Sequence, residues 1–440
     1  MSVRVERRFL YIAFGFPPLA GSGIQRKVRF TQLLPRQGWQ PIVLTVSRWG
    51  NDIIDEEWER QIPKDIKVYR APSFDPYRIV MALKRQGGNQ VKNGSQKDSG
   101  GGNSNIARLI RRLFHSISIP DHAIWWVPLA VLWGLYIIIR HRPVLIYSSS
   151  GPFGASIAGL ILRKLTGLPW VSEYRDPWAA NPFRIFSGSR NKIESCLERM
   201  CLKNAEGIIS TTSATTEQFR RRTPNSQAKR FITITNGFDI QDFKGMAPPL
   251  ENEHLRIIFA GMFYERRTPQ AFFNGLKEAI KAKPQLGQDL QVVLVGMIPD
   301  EYRAQANVEP LKSVVEIRPY IPHSEVIELL NTADVLYLPQ AKNLTDFIPG
   351  KIFEYLASRR FIFAVVPPDG ITADLIRRFE AGVIVSPEDV KEIADALLDI
   401  YDSHKNGALK VKHSLEDVME FSWPALSEKL AGFFNEITDG

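Results

Sequence analysis

The feature that most constrains this chain is an alternation of short apolar runs with helix-periodic segments, which occurs twice along its length. In the first round Phe9–Phe14, Pro41–Val46, Val144–Ser148, Leu168–Ser172, Gly207–Ser210 and Phe231–Thr235 read as strands. Gly23–Gln37 and Ala155–Leu165 read as helices between them. The pattern breaks near Phe243–Glu253, where Pro248-Pro249 and polar residues interrupt it. It then restarts, with strands over Leu255–Phe259, Gln291–Val295, Val314–Ile317, Val335–Leu338 and Phe361–Val366. Ser324–Asn331 and Lys351–Ser358 are helices of this second round, and an amphipathic segment, Trp423–Ile437, follows it. Strands separated by helices pair in parallel, and the helices cover both faces of the sheet. The expected architecture is therefore α/β: two Rossmann-like, doubly wound domains facing a central cleft. Residues 1–243 form the first, 244–420 the second, and 421–440 a terminal helix packing back on the first. A length of 440 residues suits two domains of roughly 200 residues each.

Composition narrows the function classes. An apolar fraction of 44% and a charged fraction of 23% are ordinary for a globular protein, so each half can bury a core. Cys196 and Cys201 fit neither a zinc site nor a disulfide framework, which points to a reducing compartment. The apolar run Phe9–Phe14 is too short for a secretory core and ends in Gly15-Phe16-Pro17-Pro18 without a cleavage site. The net charge of +9 favours a polyanionic partner. No RNA-recognition motif, zinc finger or other nucleic-acid signature is present, so no nucleic-acid partner is expected. The longest apolar stretch, Ala123–Ile139 with Trp125, Trp126 and Trp133, falls short of the roughly 20 residues a spanning helix needs. It reads as a buried helix, with a membrane-inserted segment as the alternative. Residues from about 85 to 105 lack apolar content and read as a flexible loop. After them, Ile106–Phe114 segregates Arg108, Arg111 and Arg112 from its apolar residues, as a helix on an anionic surface or an ordinary solvated helix does.

Four stretches carry chemistry. Phe16–Gly23 follows the first strand, and Gly21, Ser22 and Gly23 let the backbone approach a ligand closely. Its glycine spacing is not the dinucleotide fingerprint, and a simple tight turn explains it equally well. Ser172–Trp178 places Arg175 and Asp176 at a strand end, either as a site pair or as a structural ion pair; Pro177 holds Asp176 out of helical geometry. Gly261–Arg267 ends another strand with Arg266 and Arg267, a pair suited to a diphosphate or simply solvated. Phe347-Ile348-Pro349-Gly350-Lys351 opens a helix whose first turns hold Glu354, with Asp346 ahead of it. Backbone N–H groups at such a start face phosphates, Lys351 adds a cation, and Glu354 can accept bonds from ribose hydroxyls. An ordinary capped helix with both side chains solvated is the bland alternative.

Taken in order, these motifs resemble glycosyltransferase family 4, the large retaining GT-B family, over nearly the whole chain. The stretch Asp346-Phe347-Ile348-Pro349-Gly350-Lys351-Ile352-Phe353-Glu354 is similar to the family's pattern of two acidic residues separated by seven positions, with Asp346 in place of the first glutamate. Glu354 matches the glutamate that holds the nucleotide ribose. Gly21–Gly23 matches the glycine-rich loop near the donor phosphates. Asn236-Gly237-Phe238-Asp239 with Phe243 resembles the boundary motif, and Pro367-Pro368-Asp369-Gly370 the loop after the donor-site strand. Two departures stand out. Tyr174–Trp178 lacks the histidine that many members carry there and looks like a bacterial surface-polysaccharide branch. Met262 stands where many members have arginine.

The resemblance implies a metal-independent, hexosyltransferase-type enzyme that retains anomeric configuration. It implies no cofactor, a nucleotide-sugar donor (a UDP-sugar by analogy), and a glycan or polyprenyl-linked acceptor. Arg175, Asp176 and Asp346 are the catalytic candidates. Gly21, Ser22, Gly23, Arg266, Arg267, Gly350, Lys351 and Glu354 are the donor-binding candidates. No DxD motif at a strand end calls for a metal. The expected place is cytoplasmic, peripheral on the inner face of the cell membrane. A catalytically silent module of the same fold, organising a membrane-associated biosynthetic complex, is the competing expectation.

Overall fold

The computed structural model describes residues 7–19, 21, 23–48, 54–75, 117–182, 184, 188–223, 230–246, 254–263 and 267–439. Ser22, Arg266, the loop at about 85–105 and the segment Ile106–Phe114 lie outside them. Two compact units emerge. The first comprises 1–235 together with 426–440, and the second comprises 236–425.

The first unit is built on a seven-stranded sheet: β1 Arg7–Ile12, β2 Trp39–Val46, β3 Lys67–Ala71, β4 Leu145–Ser150, β5 Trp170–Tyr174, β6 Gly207–Ser210 and β7 Arg230–Thr233. The order is β3-β2-β1-β4-β5-β6-β7, and every pair is parallel. β1 is the pivot, with Phe9 beside Pro41 on one side and Leu145 on the other. Its apolar residues are buried on both faces, as a sheet covered by helices on two sides requires. The expected helix Gly23–Gln37 is in fact Ile24–Leu33 followed by a 3-10 turn, Leu34–Gln37. Pro35 has no N–H to continue the α-helical ladder, so the turn tightens there.

The second unit holds six strands: β8 Leu255–Met262, β9 Leu290–Met297, β10 Val315–Arg318, β11 Val335–Pro339, β12 Phe361–Val365 and β13 Gly382–Val385. Their order, β10-β9-β8-β11-β12-β13, is again all parallel. Ile257 and Phe259 point to one core with Leu294 and Tyr337; Ile258 and Ala260 point to the other with Val293 and Leu336. That is the period-2 alternation of a strand buried on both faces.

The boundary falls ahead of the expected 243. Phe238 and Phe243 are buried in the second unit's core, and Phe238 N–H bonds to Phe421 O at 3.1 Å, so the segment from Asn236 belongs there. The helix Trp423–Asp439 begins in the second unit and ends in the first. Its Phe434 ring lies 5.3 Å from Phe9, 5.2 Å from Tyr147 and 5.3 Å from Trp39. The expected buried helix Ala123–Ile139 is a 3-10 turn, His122–Trp125, and then a helix, Val127–His141, only one side of which is buried. Among the described residues no helix is long and apolar enough to cross a membrane.

Candidate active site

In a doubly wound sheet the ligand crevice opens where the strand order reverses, outside the carboxyl ends of the two strands at that point. In the first unit those strands are β1 and β4. After β4 the chain turns at Gly151, and after the neighbouring β5 comes Arg175. The Arg175 guanidinium lies across this edge, donating from Nε to Ser150 O at 3.2 Å and from Nη2 to Gly151 O at 3.3 Å. It also covers the turn after β1. A Cβ added to Gly23 would sit 1.2 Å from Arg175 Nη1, and one on Gly151 2.6 Å from Nη2. Both glycines have positive φ, 77° and 100°, so neither position accepts a side chain on backbone or steric grounds. The structure thus joins two motifs distant in sequence, the Gly21–Gly23 turn and Arg175. Asp176 follows, part-exposed; burial pushes its carboxyl up against the opposing pull of Arg175.

Below this turn lies a charge cluster that sequence reasoning missed. Arg26 and Glu173 form a buried ion pair at 2.6 Å. Burial opposes the Glu173 charge, but Arg26, its hydrogen bonds and the one from Ser149 outweigh it, so the carboxyl is held below its usual range. Arg26 also donates to Ile234 O at 3.0 Å and to Thr235 O. Lys27, equally buried, donates to Gly15 O at 2.7 Å. Burial and the Arg175 charge lower its ammonium pKa to about 7, against the pull of Glu173. The only sequence signal was position: both residues lie in the first turn of the helix that opens at Gly23.

In the second unit the order reverses between β8 and β11. After β11, Gln340 pins the next loop by donating from Nε2 to Phe347 O at 2.9 Å and to Leu344 O. Thr372 Oγ1 donates to Phe347 O at 2.9 Å, and Ile371 N–H to Thr345 O at 2.9 Å. The held loop leaves Asp346 and Gly350 exposed, and the helix Lys351–Ser358 starts from Gly350 without a side-chain cap. Glu354 is buried in its first turn. Its Oε2 has no hydrogen-bond partner among the described residues, and Lys351 Nζ stands 3.7 Å away. His323 lies near enough to feel both charges. Burial disfavours its cation, but the Asp242 hydrogen bond and the Glu354 and Asp242 charges prevail and raise its pKa.

Arg267 follows β8, its guanidinium carbon 5.5 Å from the centre of the Phe259 ring. Its Nε and Nη2 are buried without partners among the described residues. It lines a cavity of about 580 Å³ together with Asn274, Tyr337, Pro339, Gln340 and Lys342. Burial raises the pKa of the Tyr355 phenol, opposed by the Arg267 charge and aided by that of Glu354. The arrangement can hold an anion by Arg267 and Lys351 and accept hydroxyl hydrogens at Glu354. Gln340, Asn274 and His323 escaped the sequence reading, because a lone amide or imidazole in a helix or loop carries no spacing signal.

Known proteins share this fold. Residues 254–403 match the family model for glycosyl transferases group 1. No curated protein matches the chain in sequence. Among solved structures, the chain is similar to sucrose-phosphate synthase from Thermosynechococcus elongatus at 16% identity and a TM-score of 0.63, covering 98% of this chain and 99% of that one. It is similar to WaaG, a glycosyltransferase involved in lipopolysaccharide biosynthesis, at 14% identity and a TM-score of 0.59, covering 98% and 100%. A trehalose-6-phosphate protein from E. coli bound with UDP-2-fluoro glucose gives 11% identity and a TM-score of 0.62, covering 98% and 99%. The chain has the two-domain GT-B fold, and its second unit carries a glycosyl transferases group 1 segment.

Proposed function

We propose that the chain is a retaining, family 4 type glycosyltransferase that moves a sugar from a nucleotide diphosphate donor, a UDP-sugar by analogy, to a glycan or lipid-linked acceptor. The observation that carries this reading is Glu354. Its buried Oε2 has an ion pair with Lys351 at 3.7 Å but no hydrogen bond among the described residues, and a ribose hydroxyl would supply one. It stands at the start of a helix inside the segment that matches glycosyl transferases group 1. In this reading Arg267, Lys351 and the N-terminus opened at Gly350 stabilise the departing diphosphate by fixed positive potential, with no metal required. Arg175, Asp176 and Asp346 are assigned to the sugar, and the Gly21–Gly23 turn to the donor phosphates. The setting proposed is bacterial surface-polysaccharide assembly at the inner face of the cell membrane. Support for it is the Tyr174–Trp178 stretch, the net charge of +9 and the likeness to WaaG.

The test is a thermal-shift screen of nucleotide-sugars, followed by hydrolysis and transfer assays with the best binder in EDTA. At a ligand concentration of about 100 times Kd, binding stabilises the native state by about 2.7 kcal/mol. A specific donor should raise Tm, and its turnover should persist in EDTA. If no nucleotide-sugar raises Tm, the donor assignment is wrong. If EDTA abolishes turnover and Mg²⁺ restores it, the metal-free electrostatics are wrong.

A further inference from the structure

The helix Val127–His141 buries one side and leaves the other bare. Ala130, Val131, Gly134 and Ile137 are buried. Leu132 is 61% exposed, Trp133 37%, Tyr136 50% and Ile139 77%. Positions 132, 136 and 139 follow the helical period, so these side chains form one stripe and not scattered exceptions. The edge strand β3 extends the stripe: the Tyr69 ring lies 6.1 Å from those of Trp133 and Tyr136. Val68, Tyr69, Arg70, Leu132, Trp133 and Tyr136 line an open hollow of about 700 Å³. A contiguous apolar face of this kind on a folded domain marks an interaction surface.

The rim is cationic. Tyr69 Oη lies 2.6 Å from His141 Nε2, which joins β3 to the end of the helix, and Lys67 and Arg140 are both exposed there. Arg142, exposed, follows His141. Glu59, 3.5 Å from Arg70, offsets that cation, so Lys67, Arg140 and Arg142 carry the positive charge of the rim. A second copy of the chain, docked face to face across a two-fold axis, would set this rim against itself. The chain's own Ile106–Phe114 carries Arg108, Arg111 and Arg112, of the same sign as the rim.

We propose that this face, Leu132, Trp133, Tyr136 and Ile139 within the rim of Lys67, Arg140 and Arg142, rests on an anionic lipid bilayer. Aromatic side chains favour the headgroup zone, and an amphipathic helix buries its apolar side there while its cations meet anionic headgroups. At 15 residues the helix is too short to span, so it lies in the surface plane. The contact is thereby assigned to the helix Val127–His141, and it stands whether or not the chain transfers sugar.

The experiment is co-sedimentation of the full chain with vesicles of phosphatidylglycerol and phosphatidylcholine in equal parts, and with phosphatidylcholine alone. The wild-type protein should pellet with the anionic vesicles at low salt and be released at high salt. The double variant Leu132→Glu, Ile139→Glu should partition about tenfold less or weaker still. Its circular dichroism and melting curve should match the wild type, because both positions are exposed. Lys67→Glu, Arg140→Glu should weaken binding and flatten its salt dependence. Quenching by brominated lipid should fall in Trp133→Phe. Wild-type protein that stays in the supernatant at low salt overturns the proposal. So does a double variant that pellets like the wild type, which would move the contact to another segment. Wild-type self-association lost in the double variant, without vesicle binding, would make the face a contact between copies.

Discussion

At the scale of single residues, two buried ionisable groups, Glu354 and Lys27, can be tested directly. Glu354 has one oxygen out of reach of solvent and of any hydrogen bond among the described residues. Glu354→Gln keeps the shape but gives up the charge. Donor affinity measured by calorimetry should then fall by on the order of 1.5–3 kcal/mol, with the fold intact. Unchanged affinity would remove Glu354 from the donor site. Lys27 is the second. Its pKa of about 7 lies below the ordinary 10.5 of an unfolded lysine. Between those values the unfolded chain binds a proton that the folded chain does not, so Lys27 makes stability rise with pH across that window. Below about 7 both states are protonated and the contribution is flat. The difference in Tm between wild type and Lys27→Met should therefore move in favour of the wild type from pH 7 towards 10. A constant difference would mean that Lys27 is not held as a buried base. Glu354 and Lys351 were legible because they sit at fixed offsets from a helix start. Lys27 was not. The alternation marks its helix but not which of its cations turns inward, and the groups it meets, Gly15, Arg175 and Glu173, come from after β1 and from β5 and its end.

Elements decide which residues meet. Gly23 and Arg175 are separated in sequence by four strands, β2 to β5, yet the order β1-β4-β5 brings their loops together. Each motif could be found alone as polar residues after an apolar run; their contact could not, since strand order leaves no mark in a single sequence. Gly23→Ala tests the contact. A left-handed non-glycine residue costs on the order of 1–2 kcal/mol, and the new Cβ would displace the guanidinium as well. Gly167→Ala, also left-handed but with nothing within 4 Å, supplies the control for backbone cost alone. Gly23→Ala should lose more stability than Gly167→Ala in thermal unfolding, and only Gly23→Ala should lose kcat. Full turnover in Gly23→Ala would show that the Arg175 position is not used. The strands missed in sequence, β3 and β13, are sheet edges. β3 is only half-buried and includes Lys67 and Arg70, so its apolar signal is diluted. β13, Gly382–Val385, is too short to stand out from the helix ahead of it.

For the whole molecule, the twofold run of strands and helices was readable because both sheets are parallel, and parallel strands buried on two faces read as plain apolar runs. The boundary was less readable. Phe238 and Phe243 look like linker residues by position, and only the core they fill assigns them to the second unit. The terminal helix was legible as an amphipathic segment, and its path explains why the first unit consists of two pieces of chain. That path also governs the order of assembly during synthesis. Domains usually fold from the N-terminus as they leave the ribosome. Here Phe9, Trp39 and Tyr147 emerge early, but the ring that packs on all three belongs to Phe434. The close fit of Gly207 to Phe433 waits for the same helix. The first unit therefore stays open along that face while the entire second unit is translated, with an aromatic surface for a chaperone to shield until residues 426–439 arrive to close it.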